Sequence, residues 1–373
     1  MLVAVAVTGL GVLAVGLLTQ LLGYRTGGTI VIPVLAVYTL KNALMLPIFV
    51  ASAAVAYLGL WIAKRRTLLY GRDELLVAMG IGSGVPIVLL LALWAVVPSS
   101  LRSVVFVGSI LPGLAAYNFH QIKPEFRRWD LVATAGLLIG LIALGWALVT
   151  PALADSLGSI APPVLYASTA DVAAMNGAVV ESTLEPTILA RPIAVVLFFV
   201  GIVLAERTRA RYGVRTGLLA MALLAIYALA NAWLLVLYLL VLVVAYLALR
   251  AVHHVTLLYG RVLISVATTT ALVAVVPLSL ALPITRGLSA YFVAIIAGVN
   301  AYSWHVTAPT QRSLFVPLQA GAFLTLLVTT QLIARLRPDH GAASAESRWN
   351  RARRDRRAGV PGVRRAPVGR SPR

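Results

Sequence analysis

A chain of 373 residues that is 60% hydrophobic and only 12% charged cannot build the polar exterior of a soluble domain, and its long apolar bands read as membrane spans. Its net charge of +19 sits in short loops and a tail, without the aromatic-interleaved basic stretches that stack bases, so nucleic acid is not an expected partner. The absence of cysteine excludes disulfides, thiolate catalysis and cysteine-held metals.

In chain order, the first apolar band is residues 2–22. It lacks a basic n-region and an A-x-A-like cleavage site, so it reads as a retained span. Further bands fall at about 28–41, 43–63, 74–97, 103–119 and 129–150. A stretch over 151–190 follows, with Pro151, Pro162, Pro163 and Pro186, four acids (Asp155, Asp171, Glu181 and Glu185) and no Lys or Arg. A second series of bands falls at about 191–205, 216–230, 232–250, 262–284, 288–304 and 313–334. The second band of each series is shorter than the ~20 helical residues a hydrocarbon core needs, so it is either a short steep helix or a segment that enters and turns back. The tail over 337–373 is Arg-rich and reads as disordered.

Three landmarks recur in the same order. "GYRTG" at 23–27 faces "GVRTG" at 213–217, "TLLYGR" occupies both 67–72 and 256–261, and "SILPGLAAYNFH" at 109–120 faces "AIIAGVNAYSWH" at 294–305. The offsets are 190, 189 and 185, and collinear matches at near-constant offset indicate an internal duplication. The expected architecture is therefore all-α and polytopic, two tandem six-band repeats with about 12 transmembrane or partly spanning helices. The first repeat is 1–150, an extracytoplasmic linker 151–190, the second repeat 191–336, and the tail 337–373.

The basic loops set the orientation. The link lies outside; the stretches with Lys64, Arg65, Arg66 and Arg72, with Lys123, Arg127 and Arg128, and with Arg207, Arg209, Arg211 and Arg215 lie inside. Six crossings per half satisfy this and make the repeats parallel. All three landmarks then fall on the cytoplasmic side. Arg25, Tyr70, Gly71, Arg72, Arg207, Arg215, Tyr259, Gly260 and Arg261 form a cationic inner rim suited to a polyanion or an acidic partner. The blander reading is interface anchoring, with Arg marking topology and Tyr lying at headgroup level. Gly113 and Gly298 suit close helix packing, and Pro112 is expected to bend its helix. Tyr117, His120, Tyr302 and His305 read as packing or interface residues. His253 and His254 face Lys64 and Arg65 in the first copy, which argues against a metal site. The twelve acids flank bands or lie in the link and tail, which disfavours an ion-coupled carrier. Motifs for nucleotide, catalytic serine, zinc or calcium are missing, and no cofactor is expected.

The landmarks "YRTGGTIVIP" (24–33), "LLYGR" in both copies and "PGLAA" (112–116) resemble the PgsC/CapC family, the integral-membrane subunit of poly-γ-glutamate (capsule) synthesis. The family's ERTG-like turn has Tyr24 and Val214 in place of its Glu; its Asn after PGL-x-A falls on Tyr117 and Tyr302; and Ala297 stands opposite Pro112. The resemblance implies a cell-membrane subunit, without catalytic activity of its own, that partners a cytoplasmic ATP-dependent amide ligase, an extracellular accessory subunit, membrane lipids and poly-γ-glutamate. Two other readings stand beside it: a secondary transporter built on parallel repeats, and a membrane enzyme acting on a lipid-linked phosphate.

Overall fold

The computed structural model describes residues 1–71, 73–84, 110–180, 188, 191–214, 218–256 and 258–336. Every regular element among them is a helix. The first half contains α1 (Leu2–Leu22), α2 (Val31–Lys41), α3 (Met45–Arg66), α4 (helical over 73–84), α5 (Leu111–His120) and α6 (Arg127–Leu148). Two short helices follow, α7 (Pro151–Leu157) and α8 (Asp171–Asn176). The second half contains α9 (Arg191–Tyr212), α10 (Leu218–Ala230), α11 (Trp233–Thr256), α12 (Arg261–Ala281), α13 (Gly287–Val306) and α14 (Arg312–Leu336). Among the described residues seven segments are long and apolar enough to cross a membrane, whereas α2 and α10 are short apolar helices. The chain is a polytopic helical membrane protein. It divides into two units, Met1–Leu327 and Val328–Arg373, and of the second only the end of α14 is described. The tail expectation lies outside the described residues.

In the first unit α13 is the most enclosed span and α6 among the least, so apolar residues such as Leu131, Val132 and Ile139 on α6 are left for lipid. Without a hydrophobic drive between helices in lipid, close approach depends on small residues and interhelical hydrogen bonds. α1 crosses from its own half to α12, and Gly16 lets Ser265 come so near that an added Cβ would lie 2.8 Å from its Oγ. Thr8 on α1 and Tyr291 on α13 share a buried 2.6 Å hydrogen bond between the halves.

Several local contacts recur at the offsets of the landmarks. The side-chain oxygens of Asn42 and Asn231 accept from the N–H groups of Leu44 and Trp233, starting α3 and α11 in the same way. One-turn 3₁₀ segments at Pro124–Phe126 and Pro309–Gln311 lead into α6 and α14. Arg127 donates through Nε to the Ile122 carbonyl at 3.1 Å, and Arg312 does the same to Thr307 at 3.0 Å.

Two local expectations change. Pro112 stands in the first turn of α5, where a missing N–H has no helical partner to lose, so it starts this helix instead of bending it. The link also does more than connect. Val164, Leu165 and Tyr166 are buried in the main core, Tyr166 donates to the Leu148 carbonyl, and Asp171 accepts from the Ala43 N–H at the end of α2. Asn176 donates to the Val149 carbonyl at 2.7 Å, and the Pro162 carbonyl closes against Gly287. The link thereby touches both halves at the end of the bundle opposite the landmarks.

Candidate functional site

The site begins with the turn after α1. α1 ends at Gly23 in the left-handed conformation, and the chain doubles back through Arg25, Thr26, Gly27 and Gly28 into α2. This backbone has several N–H groups without helical partners. Asp130, fully buried in the first turn of α6, accepts two of them on one oxygen: Arg25 N–H at 2.6 Å and Thr26 N–H at 3.0 Å. Asn118 on α5 holds the other side of the turn. Its amide nitrogen donates to the Gly27 carbonyl at 3.1 Å and to the Leu114 carbonyl at 2.8 Å. Gly28 has φ 119°, and a Cβ there would lie 2.7 Å from the Asn118 amide nitrogen, so conformation and space both demand glycine.

The remaining oxygen of Asn118 accepts from Arg261 Nη2 at 3.0 Å. Arg261 is the first residue of α12 and the last letter of the second TLLYGR, so the second half reaches across 143 residues to complete a polar centre of the first. Arg25, Asp130, Tyr117 and Tyr302 all lie within electrostatic range of its guanidinium. Three atoms here are buried with no protein partner: Thr26 Oγ1, Asp130 Oδ2 and Arg261 Nη1.

The sequence-derived rim thus separates into parts. Arg25, Arg261, Tyr117 and Tyr302 converge. Tyr70 and Tyr259 are about 70% exposed in the loops before α4 and α12, and Arg207 is exposed on α9. Arg72 and Arg215 lie outside the described residues. Gly71 and Gly260 have open space around them and positive φ (58° and 66°), so they answer to backbone conformation and not to a close neighbour. Gly260, with ψ −126°, occupies a region open essentially to glycine alone. Gly260→Ala should cost about 1–3 kcal/mol, read as a lower melting temperature of the detergent-solubilised protein, and Gly71→Ala about 1 kcal/mol.

Gly113 and Gly298 sit where α5 meets α4 and where α13 meets α12. A Cβ on Gly113 would lie 2.6 Å from Met79 Cα and overlap the Ala78 carbonyl; one on Gly298 would lie 2.7 Å from Thr268 Cα. His120 stacks on Tyr57 and hydrogen-bonds the Tyr57 carbonyl at 3.0 Å. His305 instead pairs with His253 at 2.7 Å. Near His120 the buried Glu74 accepts from Lys64 (3.0 Å) and Gln121 (2.9 Å); at the positions opposite these stand His253, Leu263 and Val306. Among the described residues no group of three or more His, Asp or Glu is arranged to hold a metal.

Sequence reasoning missed Asn118, Asp130 and Thr26. The working Asn is one residue beyond the position on which the family's Asn was aligned, and Asp130 looked like one more acid at the edge of a band. The one available signal was the isolation of that acid inside "RRWDLVATAG", where a span has already begun.

Buried donors and acceptors from four elements, gathered at one end of a helical bundle, define a membrane protein with a polar centre built from its own sequence landmarks. Residues 10–128 match the family model described as Capsule biosynthesis CapC. That match covers about a third of the chain and spans the three motifs of the first half. No curated protein and no solved structure matches the chain. The chain is a multi-pass membrane protein whose residues 10–128 are similar to that capsule-biosynthesis family.

Proposed function

We propose that this chain is the integral-membrane subunit of a complex that makes and exports an anionic capsule polymer of the poly-γ-glutamate kind. In this reading a cytoplasmic ATP-dependent amide ligase docks at the landmark end, an extracellular accessory subunit meets the opposite end, and the polymer passes between. The observation that carries it is Arg261 completing the RTGG turn through Asn118, because it joins two motifs of the matched stretch to the second TLLYGR in one cationic centre. Arg is always charged and its fork of donors suits carboxylates. The recurring caps, turns and arginine contacts support reading the two halves as copies of one unit.

Replacing Arg72 and Arg261 together by Lys tests this. Topology needs only positive charge, so the protein should insert normally. Polymer output, measured on washed cells, should fall at least several-fold, and the ligase should co-purify less. Normal output with normal insertion removes the contact role.

One observation favours the transporter reading. Asp130 is a buried acid beside an unwound turn that opens a short helix, whereas the sequence had placed every acid at a band edge or outside the bands. Counterflow of labelled small solutes in vesicles containing only this chain would support it; polymer appearing outside only when the ligase is present supports the capsule reading.

A further inference from the structure

The three unpartnered atoms of the polar centre form a pattern. A buried polar group without a partner costs free energy, so natural proteins leave few of them, and a cluster calls for water, an ion or a ligand. Here one is cationic and only donates (Arg261 Nη1), one is anionic and only accepts (Asp130 Oδ2), and one does both (Thr26 Oγ1). Thr26 and Asp130 are hydrogen-bonded neighbours through the backbone, and Asn118 ties the same turn to Arg261. Yet Arg261 and Asp130 make no direct ion pair although each lacks one partner. Opposite charges near each other, each with an unmet hydrogen-bonding atom, match a group with an acceptor at one end and a donor at the other.

We propose that Arg261, Asp130 and Thr26 bind an amino-acid unit that carries its carboxylate and an N–H on the same carbon. The carboxylate meets Arg261 Nη1, the N–H meets Asp130 Oδ2, and the Thr26 hydroxyl adapts to either. A γ-linked glutamyl residue has this arrangement at every position of its chain, an α-carboxylate and an amide N–H on one carbon. A simple dicarboxylate lacks the donor, and a hydrogen phosphate, which has an O–H but no N–H, would set a further negative charge against Asp130. The proposal rests on the capsule-polymer reading and adds to it a single site, built on the first half's turn and completed by Arg261 of the second. The matching places in the second half are Ser303 for Asn118 and Phe315 for Asp130, so this carboxylate and amide are not duplicated.

The test uses the full chain purified in detergent and a synthetic γ-linked glutamate tetramer, with glutarate and inorganic phosphate as anions that have no N–H. Binding is read by microscale thermophoresis. The tetramer should bind, and glutarate and phosphate should bind at least tenfold more weakly. Asp130→Asn keeps an oxygen for the Arg25 and Thr26 N–H groups but turns the other acceptor into a donor. It should weaken the tetramer about tenfold (about 1.4 kcal/mol) and leave glutarate as it was or tighter. Should that variant not be recovered monodisperse, Arg261→Lys supplies the second arm: tetramer binding should fall about tenfold. Absence of tetramer binding, equal binding of glutarate, or unchanged binding by the variants overturns the proposal. The capsule reading fails separately, if cells that lack this chain export the polymer at the normal level.

Discussion

Gly113→Ala should be among the most damaging single substitutions in the chain, lowering stability by about 2–4 kcal/mol or preventing accumulation of folded protein. The added methyl meets backbone and not the end of a flexible side chain: the Ala78 carbonyl and Met79 Cα cannot swing aside without moving α4. Gly298→Ala should behave likewise against Thr268. Gly136 and Gly140 on α6 provide the control, since a Cβ there meets nothing within 4 Å. Gly136→Ala should stabilise the helix by about 0.5–1 kcal/mol through reduced backbone entropy in the unfolded chain. Melting temperatures of the detergent-solubilised variants measure the contrast. Similar values for Gly113→Ala and Gly136→Ala would show that α4 and α5 do not pack as described.

Asp130→Ala should cost about 1–4 kcal/mol, because it leaves the buried Thr26 N–H and the half-buried Arg25 N–H without an acceptor, at up to about 1–3 kcal/mol for a buried one. The loss should be local first: the RTGG turn loosens, and limited trypsin digestion should cut after Arg25 much faster than in the parent. Asp130→Asn separates this structural duty from the charge, since its remaining oxygen still accepts. An Ala variant as resistant to trypsin as the Asn variant would show that the turn is held by other means.

The positions of spans such as α3 and α6 were legible because apolar length is set by bilayer thickness, while the bands read at 74–97 and 103–119 lie partly outside the described residues. The band read at 43–63 is α3 at Met45–Arg66, and that at 129–150 is α6 at Arg127–Leu148. The short second bands were legible too, as α2 and α10. The folding of the link was not. Its helices have seven and six residues, too few for a hydrophobic period to register, and its burial depends on partners such as Leu148 and Gly287 that only the assembled bundle brings near. The polar centre was half legible. Arg25 and Arg261 stood out because their motifs recur, while Asn118 and Asp130 did not recur and owe their roles to where α5 and α6 come to rest. Recurrence in sequence marked the arginines; only packing could reveal the residues that receive them.

The bond between Asn118 and Arg261 also sets an order of events during synthesis. When Asn118 is added to the growing chain, the guanidinium that will partner it lies 143 residues ahead in the message. At ~5–20 residues per second that is a delay of roughly 7–30 seconds. Throughout it the nascent first half carries a buried-to-be amide oxygen and the Asp130 carboxylate with no cation from α12. Translation through α9–α12 is therefore part of the folding of α1–α6, and a stall within that stretch would leave in the membrane a half that has inserted but has not closed.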